Sequence, residues 1–128
     1  MYFQWNHLLY VGLGGMMGSV LRYSVSTWMA QHATTGWPWG TFLVNLAGCF
    51  LIGMVLGFPL RLQEAPVWKL FLATGFCGGF TTFSAFSNEG FQMLKQQYYF
   101  LFAAYAFSSV LLGLLAVVAG YWLIRFLF

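Results

Sequence analysis

Apolar positions along this chain gather into long runs, and the polar positions between them are few and bunched. Runs at about 8–30, 38–58, 67–94 and 99–127 each approach or exceed the ~20 residues an α-helix needs to cross a bilayer. The connectors QHATTGW, PLRLQEAP and KQQY are short. The pattern predicts an all-α membrane protein with four transmembrane helices in a single domain over residues 1–128. Prolines sit at the edges of the runs: Pro38 suits the first turn of the second helix, and Pro59 and Pro66 bracket the middle connector. Trp5, Trp28, Trp37, Trp39, Trp68 and Trp122 all fall near predicted helix ends, where indole rings favour the headgroup level. The third run is long for a straight span, which predicts a break in mid-membrane near Gly78 and Gly79.

Composition settles the class. The chain is 61% hydrophobic and 5% charged, whereas a soluble domain carries about a quarter charged residues. Five basic and two acidic residues are too sparse for a nucleic-acid surface, which needs basic residues clustered on one face. Cys49 and Cys77 lie in apolar runs at a spacing that fits neither CxxC nor a metal site, so both read as small buried thiols. The opening MYFQWNHLLYVGLGG has no basic residue before its apolar stretch and no clear cleavage site, and reads as the start of a retained first helix.

Charge leaves orientation open. With an even number of spans, Arg61, Lys69 and Arg125 fall on one side and Lys95 and Arg22 on the other. The usual excess of basic residues on the cytoplasmic side is nearly absent. Either the chain inserts both ways and pairs as an antiparallel dimer, or other signals fix one orientation. Gly14 with Gly18, and Gly53 with Gly57, stand at the spacing that lets helix backbones approach closely.

The candidate chemistry is concentrated in TGFCGGFTTFSAFSNE, residues 74–89. A helix broken at membrane depth is tolerated only inside protein or beside a watery path, so this segment points to ion passage. At helical spacing Thr74, Cys77, Thr81, Ser84 and Asn88 share one face, and Phe76, Phe80 and Phe83 form a second stripe, with Phe83 and Phe86 one turn apart. Phenyl rings are positive at the edge, so edge-on phenylalanines can hold an anion without a full charge that would trap it; plain core packing is the alternative. Asn45, alone in an apolar stretch, either ties two helices together or donates to an anion. Arg22 either snorkels to the interface or supplies positive charge at a pore mouth. Tyr105, Ser108 and Ser109 either bond their own helix or extend a track of donors. Glu89 is the only acid near a span, at the end of the third helix. His7 and His32 are too isolated for a metal site. With no nucleophile–base pair, metal cluster or phosphate loop, the chain is not expected to be an enzyme.

Three segments, GGMMGSVLRY, WPWGTFLVNLAGCFLIG and TGFCGGFTTFSAFSNE, together with AAYAFSSVLLG in the fourth run, resemble the small bacterial fluoride channels, the Fluc family. The resemblance implies passive export of cytoplasmic fluoride through an antiparallel, dual-topology homodimer in the bacterial inner membrane. It also implies pore roles for Asn45, Phe83, Phe86, Tyr105, Ser109 and Arg22, and a central structural sodium ion held by the backbone carbonyls of Gly78 and Thr81. Gly113 stands where some members place a further serine, a departure at the far end of the polar track. A dual-topology, proton-coupled small-molecule exporter is the alternative, and the lack of an acid in the first helix argues against it. A non-transporting structural bundle is the third reading.

Overall fold

The computed structural model describes residues 4–59 and 66–128, and every regular element among them is helical. α1 spans Trp5–His32 and α2 spans Trp39–Gly57. α3 is made of consecutive pieces: a turn at Pro66–Lys69, a π-helical stretch at Leu70–Cys77 and a turn at Gly78–Phe80. α4 spans Phe83–Lys95 and α5 spans Tyr99–Leu127. Arg61, part of the charge tally, lies outside the described residues.

Local chemistry explains the ends. α1 closes at His32, whose ring stacks on Trp28 at 4.5 Å and whose Nδ1 bonds the Trp28 carbonyl at 2.7 Å. Pro38 stands just before α2, at its N-cap, and its carbonyl accepts from the Phe42 N–H at 3.0 Å. α4 ends in a Schellman turn: the Tyr98 N–H donates to Met93 O at 2.9 Å and the Gln97 N–H to Leu94 O at 3.0 Å. Gln97 takes the left-handed conformation there, with φ 62°, at a position where glycine is usual.

Two glycine seams hold the bundle together. On α1, a Cβ at Gly14 or Gly18 would strike the carbonyl oxygens of Phe71 or Phe76, and across the seam a Cβ at Gly79 would strike that of Gly15. On α2, a Cβ at Gly53 would strike Val117 O, and one at Gly120 of α5 would strike Phe50 O. Backbone-to-backbone approach of this kind replaces the hydrophobic drive that lipid cannot supply between helices. Both glycine pairs seen in the sequence lie in these seams. A third close approach, Gly48 of α2 against the Thr81 methyl, brings α2 onto the end of α3. Tyr105 is 0% exposed; with Phe42 and Met93 it forms a core on which Trp37, Leu46, Phe86, Leu101 and Phe102 pack.

Among the described residues, three stretches are long and apolar enough to cross a membrane: Trp39–Gly57, Val67–Lys95 and Tyr99–Leu127. α1 has 28 residues, about 42 Å at the α-helical rise, but Ser19, Arg22, Ser24, Ser26 and Thr27 make it more polar than the others. Large apolar side chains such as Leu114, Leu115, Val118 and Trp122 of α5 face outward, as a lipid or partner surface requires.

The interruption of the third run differs from expectation. Gly78 is helical, with φ −62° and ψ −37°, and Gly79 lies in the same turn. The chain instead leaves the helix at Thr81 and Thr82, with φ/ψ of −83°/157° and −149°/118°. Gly79 serves close packing against α1, and the run breaks where threonine side chains can satisfy the freed backbone. The two predicted stripes are therefore not continuous. Phe76 and Phe80 stack on each other at 5.6 Å before the break, while Phe83 pairs with Phe86 at 5.7 Å after it. Thr74 and Cys77 likewise lie on a separate helical piece from Ser84 and Asn88.

Candidate functional site

The break frees backbone groups that must find partners, and side chains of the break itself and of α1 and α2 supply them. The Thr81 N–H and hydroxyl both donate to Cys77 O, at 2.9 and 2.8 Å, closing α3. The Thr82 hydroxyl accepts from the Ala85 N–H at 3.2 Å and caps α4. Asn45 reaches across from α2 and grips both sides of Thr82: its Oδ1 accepts the Thr82 N–H at 2.8 Å, and its Nδ2 donates to the Thr82 carbonyl at 3.1 Å. Arg22 reaches over from α1, and its Nε donates to Gly79 O at 3.0 Å. A cation at the carbonyl end of a helix is favourably placed.

Beside the break lies a cavity of about 290 Å³, lined by Asn45, Cys49, Thr81, Thr82, Phe83, Phe86, Ser109 and Val110. It brings together Asn45, Phe83, Phe86 and Ser109 from the expected pore residues, and Thr81 from the expected cation pair. Phe83 is 79% exposed and tilted 37° to Phe86. Ser108 spends its hydroxyl on its own helix, donating to Ala104 O at 2.6 Å. Ser109 does not: its Oγ is buried without a hydrogen-bond partner. Among the described residues the other such side-chain atom is Trp37 Nε1, in a ring set edge-on against Phe42 and Tyr105 at 5.3 and 5.5 Å.

Tyr105, Arg22 and Gly78 are not part of this lining. Tyr105 sits behind Phe86, with ring centroids 5.1 Å apart, and its hydroxyl donates to Glu89 Oε2 at 2.7 Å. The Thr41 hydroxyl donates to Glu89 Oε1 at 2.6 Å. Both carboxylate oxygens are thus satisfied within the bundle, and Glu89 belongs to the body of α4 rather than to its end. Sequence reasoning gave no place in the site to Thr41, Cys49 or Glu89. Thr41, Asn45 and Cys49 recur every fourth residue along α2, one face of a helix, and that stripe is the signal that could have found Thr41 and Cys49. Cys49, expected to be a buried space-filler, is half-buried and lines the cavity; Cys77 is buried, as expected.

Known proteins resemble the chain over nearly its whole length. Residues 9–121 match the family model described as CrcB-like protein, Camphor Resistance (CrcB). A fluoride-specific ion channel FluC of Phocaeicola vulgatus is 47% identical over 116 residues, covering 91% of this chain and 96% of the relative. One of Leptospira interrogans is 48% identical over 119 residues, with 92% and 94% covered. One of Rhizobium meliloti is 47% identical over 121 residues, with 94% and 97% covered.

Proposed function

The chain belongs to the CrcB-like family, and from that premise we propose that it is a fluoride-selective channel, conducting passively and containing no enzyme activity, whose path runs through the cavity at the α3–α4 break. The observation that carries this reading is the buried, unpartnered Ser109 hydroxyl in a cavity shared with Asn45, Phe83 and Phe86. A buried hydroxyl without a partner is costly, and a small anion in the cavity would supply one.

Fluoride is small and strongly hydrated, so the path must replace its water with donors. Ser109 contributes an O–H. The Asn45 amide carries two hydrogens, one of which goes to Thr82, leaving the other for the ion. Phe83 and Phe86 contribute ring edges, weak enough to release the ion as well as bind it. Arg22 sets a fixed positive charge near the break and raises the local anion concentration. Tyr105, held by Glu89, backs Phe86 and continues the polar track beyond it.

The finer architecture belongs to the same proposal. α1 is the fourth span, with Ser19, Arg22, Ser26 and Thr27 half-buried against the bundle and the exposed Ser24 hydroxyl donating to its own helix at Val20 O, and the break sits at membrane depth. Two chains of opposite orientation pair, which accounts for the balanced charges. The carbonyls of Gly78 and Thr81 would hold a sodium ion at the crossing of the two breaks. The donor set fits: oxygens at the carbonyl end of a half-helix suit a hard cation, and the Cβ direction of Gly78 meets open space. A sodium ion held there would offset the partial negative charge of those carbonyls and would tie the two protomers together. In a bacterial inner membrane such a channel lets out fluoride that has entered as HF.

Purified protein in fluoride-loaded liposomes tests the reading. Fluoride should leave rapidly once a potassium ionophore relieves the charge build-up, with no proton gradient needed. Efflux no faster than from protein-free vesicles would remove it.

A further inference from the structure

One turn beyond Ser109, α5 carries Gly113 and so offers no side chain. α2 faces that position with Cys49. Cys49 follows Asn45 by one turn, just as Gly113 follows Ser109. A Cβ built at Gly113 would have the Cys49 Sγ at 3.5 Å as its nearest neighbour outside its own helix, which is ordinary contact distance. Cys49 also lines the same cavity as the unpartnered Ser109 hydroxyl, Asn45 and the paired phenylalanines. By contrast Cys77 is buried in a separate apolar cavity with Leu51, Met54, Val55, Phe58, Leu72 and Phe76.

We propose that the Cys49 thiol lines the fluoride path and supplies, at the level of Gly113, the polar group that α5 lacks. This rests on the channel reading above. A thiol is a weak donor and a small one, so it offers a hydrogen to a passing anion without holding it. Its softness also makes it a target that no hydroxyl would be: a thiophilic metal compound entering the cavity would react there and occlude the path. With mercuric chloride the sulfur bonds to mercury, one chloride leaves and the thiol proton passes to water.

The test uses reconstituted full-length protein carrying Cys77→Ala, so that Cys49 is the sole thiol, with a Cys49→Ala, Cys77→Ala control. Mercuric chloride should add one mercury to the first protein, seen by intact mass, and abolish its fluoride efflux, while leaving mass and efflux of the control unchanged. Cys49→Val, which removes the donor at similar volume, should conduct about tenfold more slowly than Cys49→Ser, which keeps a donor there. No mercury uptake before unfolding, or uptake with undiminished efflux, would overturn the proposal. Because mass reports access to the thiol independently of transport, a parent protein that takes up mercury but never conducts fluoride would count against the channel reading instead.

Discussion

Replacing Asn45 with leucine removes both hydrogen bonds that hold the Thr82 peptide, at 2.8 and 3.1 Å, and puts a side chain of similar size in the same space. The Thr82 N–H and C=O are then left in a part-buried setting without partners. Each orphaned backbone group costs about 1–3 kcal/mol, so the substitution should destabilise the fold by about 2–6 kcal/mol. The lower end applies if water enters the adjoining cavity and takes over one bond. Detergent titration of the micelle-embedded protein, followed by tryptophan fluorescence, reads this loss. Fluoride efflux per folded protein reads a second effect, because the amide also faces the path. A leucine variant within about 0.5 kcal/mol of the parent, the scatter of an ordinary surface change, would refute the claim that Asn45 carries the break.

Three further substitutions probe separate parts of the bundle. Phe83→Ile should stop fluoride efflux with a stability change of only about 0.5 kcal/mol, since the ring is 79% exposed in the protomer; wild-type flux in this variant would remove the ring-edge role. Tyr105→Phe should cost about 1–3 kcal/mol in the same detergent titration, because it deprives the half-buried Glu89 of a 2.7 Å donor, and an unchanged midpoint would contradict that. Gln97→Gly should stabilise the protein by about 1 kcal/mol by relieving the left-handed backbone at φ 62°, without altering efflux; a loss of stability would mean the glutamine side chain contributes more than its backbone strain costs.

Much of the fold was legible because membrane spans announce themselves by length. The second and fourth predicted runs match α2 and α5 to within a residue, and the glycine pairs mark seams that no larger residue could occupy. The break was legible only approximately. Gly78 and Gly79 look like helix breakers in isolation, yet a glycine against a neighbouring backbone is as content in a helix, and here Gly79 is needed by α1. Thr81 and Thr82 carry the break because their side chains, with Asn45, can bond what the helix gives up, and that bonding depends on a helix 37 residues away in sequence. Asn45, Phe83, Phe86 and Ser109 were named one by one from the resemblance; that they line one cavity, and that Tyr105 and Arg22 do not, is seen only in the folded chain. Glu89 was harder: its position late in the third run hid the fact that Thr41 and Tyr105, from two other helices, converge on it.

The central claim is that amide, hydroxyl and ring-edge hydrogens around this cavity stand in for the water of the smallest halide. Paired measurements of fluoride and chloride efflux from the same liposomes, under one driving force, test it most directly. The account predicts fast fluoride loss with chloride at the protein-free rate. Equal rates for the two ions, or a fluoride rate indistinguishable from that of empty vesicles, would contradict it.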